Sequence, residues 1–442
     1  MRHLRTLIWI YLVLLLTEGA LRKWVFPSLD APLLIIRDPL VLWIYIQAYR
    51  NRLSFSNAFF MPNLFLALGT IITSMLFGKG TLFVTFYGFR TDFLQIPLIF
   101  LIPQILNRND VIAMGKFVLF VFIPMTVLVV LQFRSSPDSW MNKNAFRTHY
   151  GTVRPSGTFS FIPGMVAYVA ITASYLFYGF MQLRAYKVWL LAVVTFCMIL
   201  ASACSGSRSC LLSIGEVAVV ASLCILLRGK GGMGILVAAA VIMLIYPFVS
   251  SMDVFKEGSD QLARRFEATA AVGEDSTGMV ERYANTMARP FSAAFDGPIF
   301  GNGLGLGTNA ASGLLGNTDF IIEDDWGRLV FESGLIFGLP LCFFRIALAF
   351  SIARSAYIAL CQDNILPALI FGSCGVLILN GQWGVPTMLG FAILGGGLTL
   401  AACVVPEDED WEHEHEEGEH HHEEHEGHAD ESDHSTAADK AS

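Results

Sequence analysis

The sequence predicts an all-α polytopic membrane protein, and three observations predict it. Hydrophobic residues fill 54% of the 442 positions and charged residues only 15%, far more apolar than a soluble chain needs for its core. The apolar residues gather into about twelve runs close to the length of a bilayer crossing. Between alternate runs stand pairs of Arg or Lys, the mark of segments retained on the cytoplasmic side.

The runs are residues 6–21, 33–49, 59–77, 92–106, 111–131, 159–178, 187–203, 209–227, 233–250, 328–350, 365–381 and 385–403. With the N-terminus inside, every inner segment is basic: Arg2/Arg5, Arg50/Arg52, Arg108/Lys116, Arg184/Lys187, Arg228/Lys230 and Arg345/Arg354. Trp9 and Tyr11, with no small-residue cleavage site after them, suit a retained first helix rather than a removed signal. The eight cysteines sit in or beside apolar runs with no CxxC pair, as small buried hydrophobes do, and no metal site is predicted.

Residues 1–405 therefore form an integral membrane domain, and the far side carries two long segments, 132–158 and 251–327. The second is an inserted loop subdomain between the ninth and tenth crossings. Its Leu262/Phe266 and Met279/Tyr283/Met287 spacings predict short amphipathic helices. Residues 406–442 form a cytoplasmic tail holding 16 of the 37 acidic residues and eight of the ten histidines. That composition cannot bury a core and predicts disorder, as a solubilising tail or a weak binder of divalent metal. Without the tail the chain has 28 Lys and Arg against 21 Asp and Glu, so the formal charge of −8 hides a basic body.

Several arginines stand on the far side, where retention inside does not explain them: Arg147, Arg154, Arg208, Arg264, Arg265, Arg282, Arg289 and Arg328. A guanidinium fork binds phosphate bidentately and keeps its charge near a low-dielectric boundary, so the cluster points to an anion arriving through the membrane. For any one of them the alternative is a headgroup contact or local ion pair, as between Arg22 and Glu18 one turn away. Glu216, inside the eighth run, is a carboxylate at a depth where such groups are paired or functional.

Three stretches stand out: Arg154-Pro-Ser-Gly-Thr-Phe159, Ser205-Gly-Ser-Arg-Ser209, and the segment after Met279 with Arg282, Pro298-Ile-Phe-Gly-Asn-Gly303 and Glu332-Ser-Gly334. Their order resembles the O-antigen ligase and O-antigen polymerase superfamily, bacterial inner-membrane transferases of lipid-linked glycans. The resemblance covers most of residues 1–403 and implies a GT-C-like fold with one large periplasmic loop and both termini in the cytoplasm. It implies a polyprenyl-pyrophosphate-linked glycan as donor, a glycan or lipid acceptor, contact with membrane lipid and with other envelope-assembly proteins, no nucleic acid and no cofactor. The donor pyrophosphate would be bound by Arg154, Arg208 and Arg282, with Arg282 and Glu323 catalytic.

Aligning Glu332-Ser-Gly334 puts Glu323 where ligases carry His and Asp324 where they carry Asn. A carboxylate can serve as general base towards a sugar hydroxyl. Alternatively Glu323, Asp324 and Asp325 pair with Arg328 or cap the following helix. Arg147, Asp324, Arg328 and Glu332 complete the candidate residues. The missing His favours polymerase over ligase. The rival class is a transporter, a flippase of lipid-linked oligosaccharide or a carrier of small anions.

Overall fold

A computed structural model describes residues 1–143, 146–147, 153–229, 232–270, 284–285, 287–288, 290–292, 295, 297–315, 320–322 and 324–405. It is an all-α membrane protein. Its helices are α1 (Arg2–Ala20), α2 (Asp30–Leu33), α3 (Arg37–Arg50), α4 (Phe60–Phe77), α5 (Leu82–Phe89), α6 (Ile96–Ile105), α7 (Arg108–Arg134), α8 (Ile162–Met181), α9 (Val188–Ser205), α10 (Arg208–Arg228), α11 (Gly232–Ser251), α12 (Asp253–Ala270), α13 (Asn309–Leu315), α14 (Asp325–Cys361), α15 (Leu366–Asn380) and α16 (Pro386–Ala401). One antiparallel pair of two-residue strands, β1 (Phe146–Arg147) and β2 (Val153–Arg154), bridges the segment between α7 and α8.

Local chemistry sets the boundaries. The α7 helix opens on a reciprocal capping box between Asn107 and Asp110. Left-handed glycines close α9 and α10, Gly206 at φ +53 and Gly229 at φ +64. Central α8 is buried almost all round, against α7, α10, α15 and α16, whereas apolar α11 leaves nearly its whole surface exposed.

Among the described residues eight helices are long and apolar enough to cross a membrane, and α15 and α16 are shorter apolar helices. The other two expected crossings differ from simple spans. Arg37–Arg50 has 14 residues, and the run through Ile105 is α5 and α6 joined by a π-helical turn at Arg90–Leu94. The tenth run is the clearest departure. Gly334 takes φ +69 and ψ −168, so α14 is two helices, 325–333 and 335–361. A Cβ on Gly338 would lie 2.7 Å from Val330 Cα, and Arg345 pairs with Asp325. The first arm therefore folds back along the second, and 328–350 is a helical hairpin rather than one straight crossing.

The segments expected on opposite sides gather at opposite ends of the bundle. At one end Arg5 meets Asp110 at 3.6 Å, Arg108 N donates to Val404 O at 3.0 Å and Arg228 pairs with Asp363 at 2.6 Å. At the other lie residues 22–24, 135–143, 153–160, 206–208 and 265.

Candidate anion-binding cavity

The Arg154-Pro-Ser-Gly-Thr-Phe159 stretch is wedged into the bundle by contacts on every side. Gly157, at φ +60, donates its N–H to Gln132 Oε1 at 2.8 Å, and its carbonyl accepts from Gln132 Nε2 at 3.0 Å. Buried Lys23 donates to Ser156 Oγ at 2.8 Å, and Thr158 Oγ1 donates to Leu16 O at 2.6 Å. Gly19 of α1 leaves no room for a Cβ, which would lie 2.4 Å from Thr158 O. The backbone beside Arg154 is thereby fixed against α1 and α7.

The second arginine stretch is positioned by a helix-to-helix turn. Gly206 ends α9, Ser207 precedes α10, and Arg208 is the first residue of α10. Arg265 of α12 donates to the Gly206 carbonyl. Burial, then Arg265, then more weakly Arg208, lowers the Arg154 pKa to about 10, so the group stays charged at neutral pH but in an unfavourable setting. Burial and Arg208 likewise lower Arg265. The structure thus brings together Arg154 and Arg208 and adds Arg265, which the sequence grouped with the far-side arginines but not with the donor-site candidates.

A cavity of about 420 Å³ opens beside this cluster. One part of its wall is polar, with Arg154, Ser156, Ser160, Ser207, Ser209 and Gln382, and another apolar, with Phe161, Ile162, Pro163, Val166 and Met388. These residues include the first turns of α8, α10 and α16, none of which has a side-chain cap. Helix N-termini present unsatisfied N–H groups and the positive end of the macrodipole, the arrangement that binds phosphate. The cavity suits an amphiphile with an anionic head.

The remaining motifs build a scaffold. Glu332, fully buried, accepts from Gly305 N at 2.8 Å and Gly307 N at 2.9 Å, while Gly303 N donates to Glu332 O at 3.0 Å. The glycine run and the Glu-Ser-Gly stretch are therefore one device. Arg328 pairs with Asp92 at 2.6 Å, Asp325 at 2.9 Å and Glu332 at 3.0 Å, and Arg345 also reaches Asp325. Asp324 accepts from Gly327 N at 2.7 Å, the capping alternative. Arg282 and Glu323 lie outside the described residues, and Arg147 is described only by its backbone in β1.

A further set of buried charges escaped the sequence reading. Arg37 pairs with Glu18 at 2.8 Å and donates to Tyr11 Oη, which donates to Gln95; Arg90 pairs with Asp38. Glu18 is thus the partner of Arg37, and Arg22 binds Asp30 at 2.7 Å instead. The signal was present as opposite charges inside neighbouring apolar runs, where an ionisable group needs a partner. Glu216 lies on the exposed face of α10. Compared with known proteins, the chain matches no family model and no curated protein.

Proposed function

We propose that the protein is a membrane glycosyltransferase using a polyprenyl-pyrophosphate-linked glycan as donor in surface-polysaccharide assembly, as a polymerase rather than a ligase. The reading includes a bacterial inner membrane, about twelve crossings in a GT-C-like arrangement, and cytoplasmic termini. The observation that carries it is the cavity lined by Arg154 and by residues at three helix N-termini, with Arg208 and Arg265 near Arg154, whose wall turns apolar. A pyrophosphate on a long prenyl chain needs both chemistries in one place.

In this reading an acceptor hydroxyl oxygen attacks the anomeric carbon of the donor, and the bond from that carbon to the pyrophosphate oxygen breaks. The hydroxyl proton passes to Glu323, and the lipid pyrophosphate leaves as an anion. Arg154, Arg208 and Arg282 stabilise the charge that grows on the leaving group, an electrostatic contribution that is often the largest in catalysis.

The test uses purified protein and a lipid-linked donor. Arg154→Ala and Arg282→Lys should chiefly impair donor use, because lysine keeps the charge but loses the planar fork. Glu323→Gln should slow transfer about 10²- to 10⁴-fold with donor binding kept. Gene deletion should remove the long-chain polysaccharide ladder and leave single repeats. Unflipped precursor accumulating inside the cell would instead identify a flippase and end this reading.

A further inference from the structure

A second, smaller cavity of about 210 Å³ adjoins the first, and Gln382 lines both. Its walls include Thr308 and Asn309 from the end of the glycine run, the Asp325–Arg328 ion pair, and Gly384. At this volume it falls below the roughly 300 Å³ at which pockets for drug-sized ligands begin, so it admits one small ring rather than a chain of them.

The chemistry of the walls selects the kind of ring. Asp325 is held by both Arg328 and Arg345, and Arg328 by Asp92, Asp325 and Glu332, so this wall offers both signs of charge at once and favours no ionic ligand. A carboxylate, a guanidinium and two amides spaced around a small cavity suit vicinal hydroxyls, which donate and accept together. Ile321, Ile322 and Val385 supply an apolar patch for the C–H face of such a ring. The polar groups are pre-organised, because the ion pairs fix one wall and Glu332 fixes the backbone at Gly305 and Gly307.

We propose that this second cavity is the subsite for one neutral sugar ring of the acceptor, presented to the donor cavity across Gln382. The inference rests on the glycosyl-transfer reading, and its test is separate from that of the donor site. Full-length protein in nanodiscs is probed by saturation-transfer NMR with methyl glycosides of a hexose, an N-acetylhexosamine and a 6-deoxyhexose. At least one should bind, and Asn309→Leu should weaken its signal roughly fivefold, the worth of one hydrogen bond. Gly384→Ala, whose new methyl would lie 3.2 Å from Thr308 Cγ2, should weaken it by filling space without removing a polar group.

Farnesyl pyrophosphate is titrated in parallel. Arg154→Ala should lose its binding, and Asn309→Leu should keep it, which also shows that the latter variant is folded. The subsite is overturned if none of the glycosides binds the wild-type protein, or if both variants bind like wild type. It is also overturned if Arg154→Ala abolishes glycoside binding while Asn309→Leu does not. Glycoside binding lost in Asn309→Leu without any farnesyl pyrophosphate binding would uphold the sugar pocket and sink the donor reading alone.

Discussion

At the scale of single residues, the same side chain serves opposite ends according to what surrounds it. Arg154 stands among other cations beside a cavity, while Arg328 is buried and surrounded by Asp92, Asp325 and Glu332. Replacing Arg328 with Met would leave Asp92 and Glu332 buried without their cation and Asp325 with Arg345 alone, and removing one member of a buried pair costs about 3–5 kcal/mol. We expect Arg328→Met to unfold at a markedly lower temperature in a detergent melt, and Arg154→Ala to melt close to wild type while losing the anionic ligand. Equal melting of Arg328→Met and wild type would mean that the ion pairs add nothing to the fold. The sequence grouped Arg154 and Arg208 because short Gly- and Ser-rich stretches carrying Arg are poor core, and the structure brings the two near each other. The sequence could not separate Arg328 from them, since the deciding partner, Asp92, lies 236 residues away. Glu332 was legible as special but not as the anchor of the glycine run, because nothing in its spacing reveals which N–H groups it receives.

At the scale of elements, hydropathy located helices well and their reversals poorly. Most expected runs overlap helices, but those at 33–49, 92–106 and 328–350 are not simple spans. The fold-back within α14 is invisible to a window average, which merges a first arm that buries Asp325, Arg328 and Glu332 with the apolar second arm. What permits it is Gly334, whose backbone lies where side chains are rarely tolerated and whose Cβ would fall 2.3 Å from Gly301 N and from Ile299 O. Gly334→Ala should therefore destabilise the protein by about 1–3 kcal/mol from backbone strain, with the steric clash adding to it. Gly313, within α13, has nothing within 4 Å of its would-be Cβ. Alanine there should leave stability unchanged or raise it by a few tenths to about 1 kcal/mol, as for an exposed helical glycine. Thermal melts of the two variants side by side check this. If Gly334→Ala melts with Gly313→Ala, the hairpin is not held by the glycine.

At the scale of the whole molecule, the bundle has two chemically different ends, and the functional reading depends on which faces outwards. One end carries Arg5, Arg108, Arg228 and Asp363; the other holds the cavity, Trp140 and the start of α12. Basic pairs at every second connection suggest such a division, but Arg345 of one expected inner pair is buried and pairs with Asp325 instead. Cys361 is a native reporter for the first end: it is exposed, and the other cysteines are buried or partly so. At the second end Trp140 is 71% exposed. An impermeant maleimide should leave wild-type protein unlabelled in intact cells and react at Cys361 after permeabilisation, a reaction that Cys361→Ser should abolish. Trp140→Cys should react in intact cells. The opposite pattern would place the cavity in the cytoplasm, where the resemblance to periplasmic glycan transfer fails. In that case an anion site opening to the cytoplasm would favour uptake of precursor for flipping, and the transporter reading would replace the transferase one.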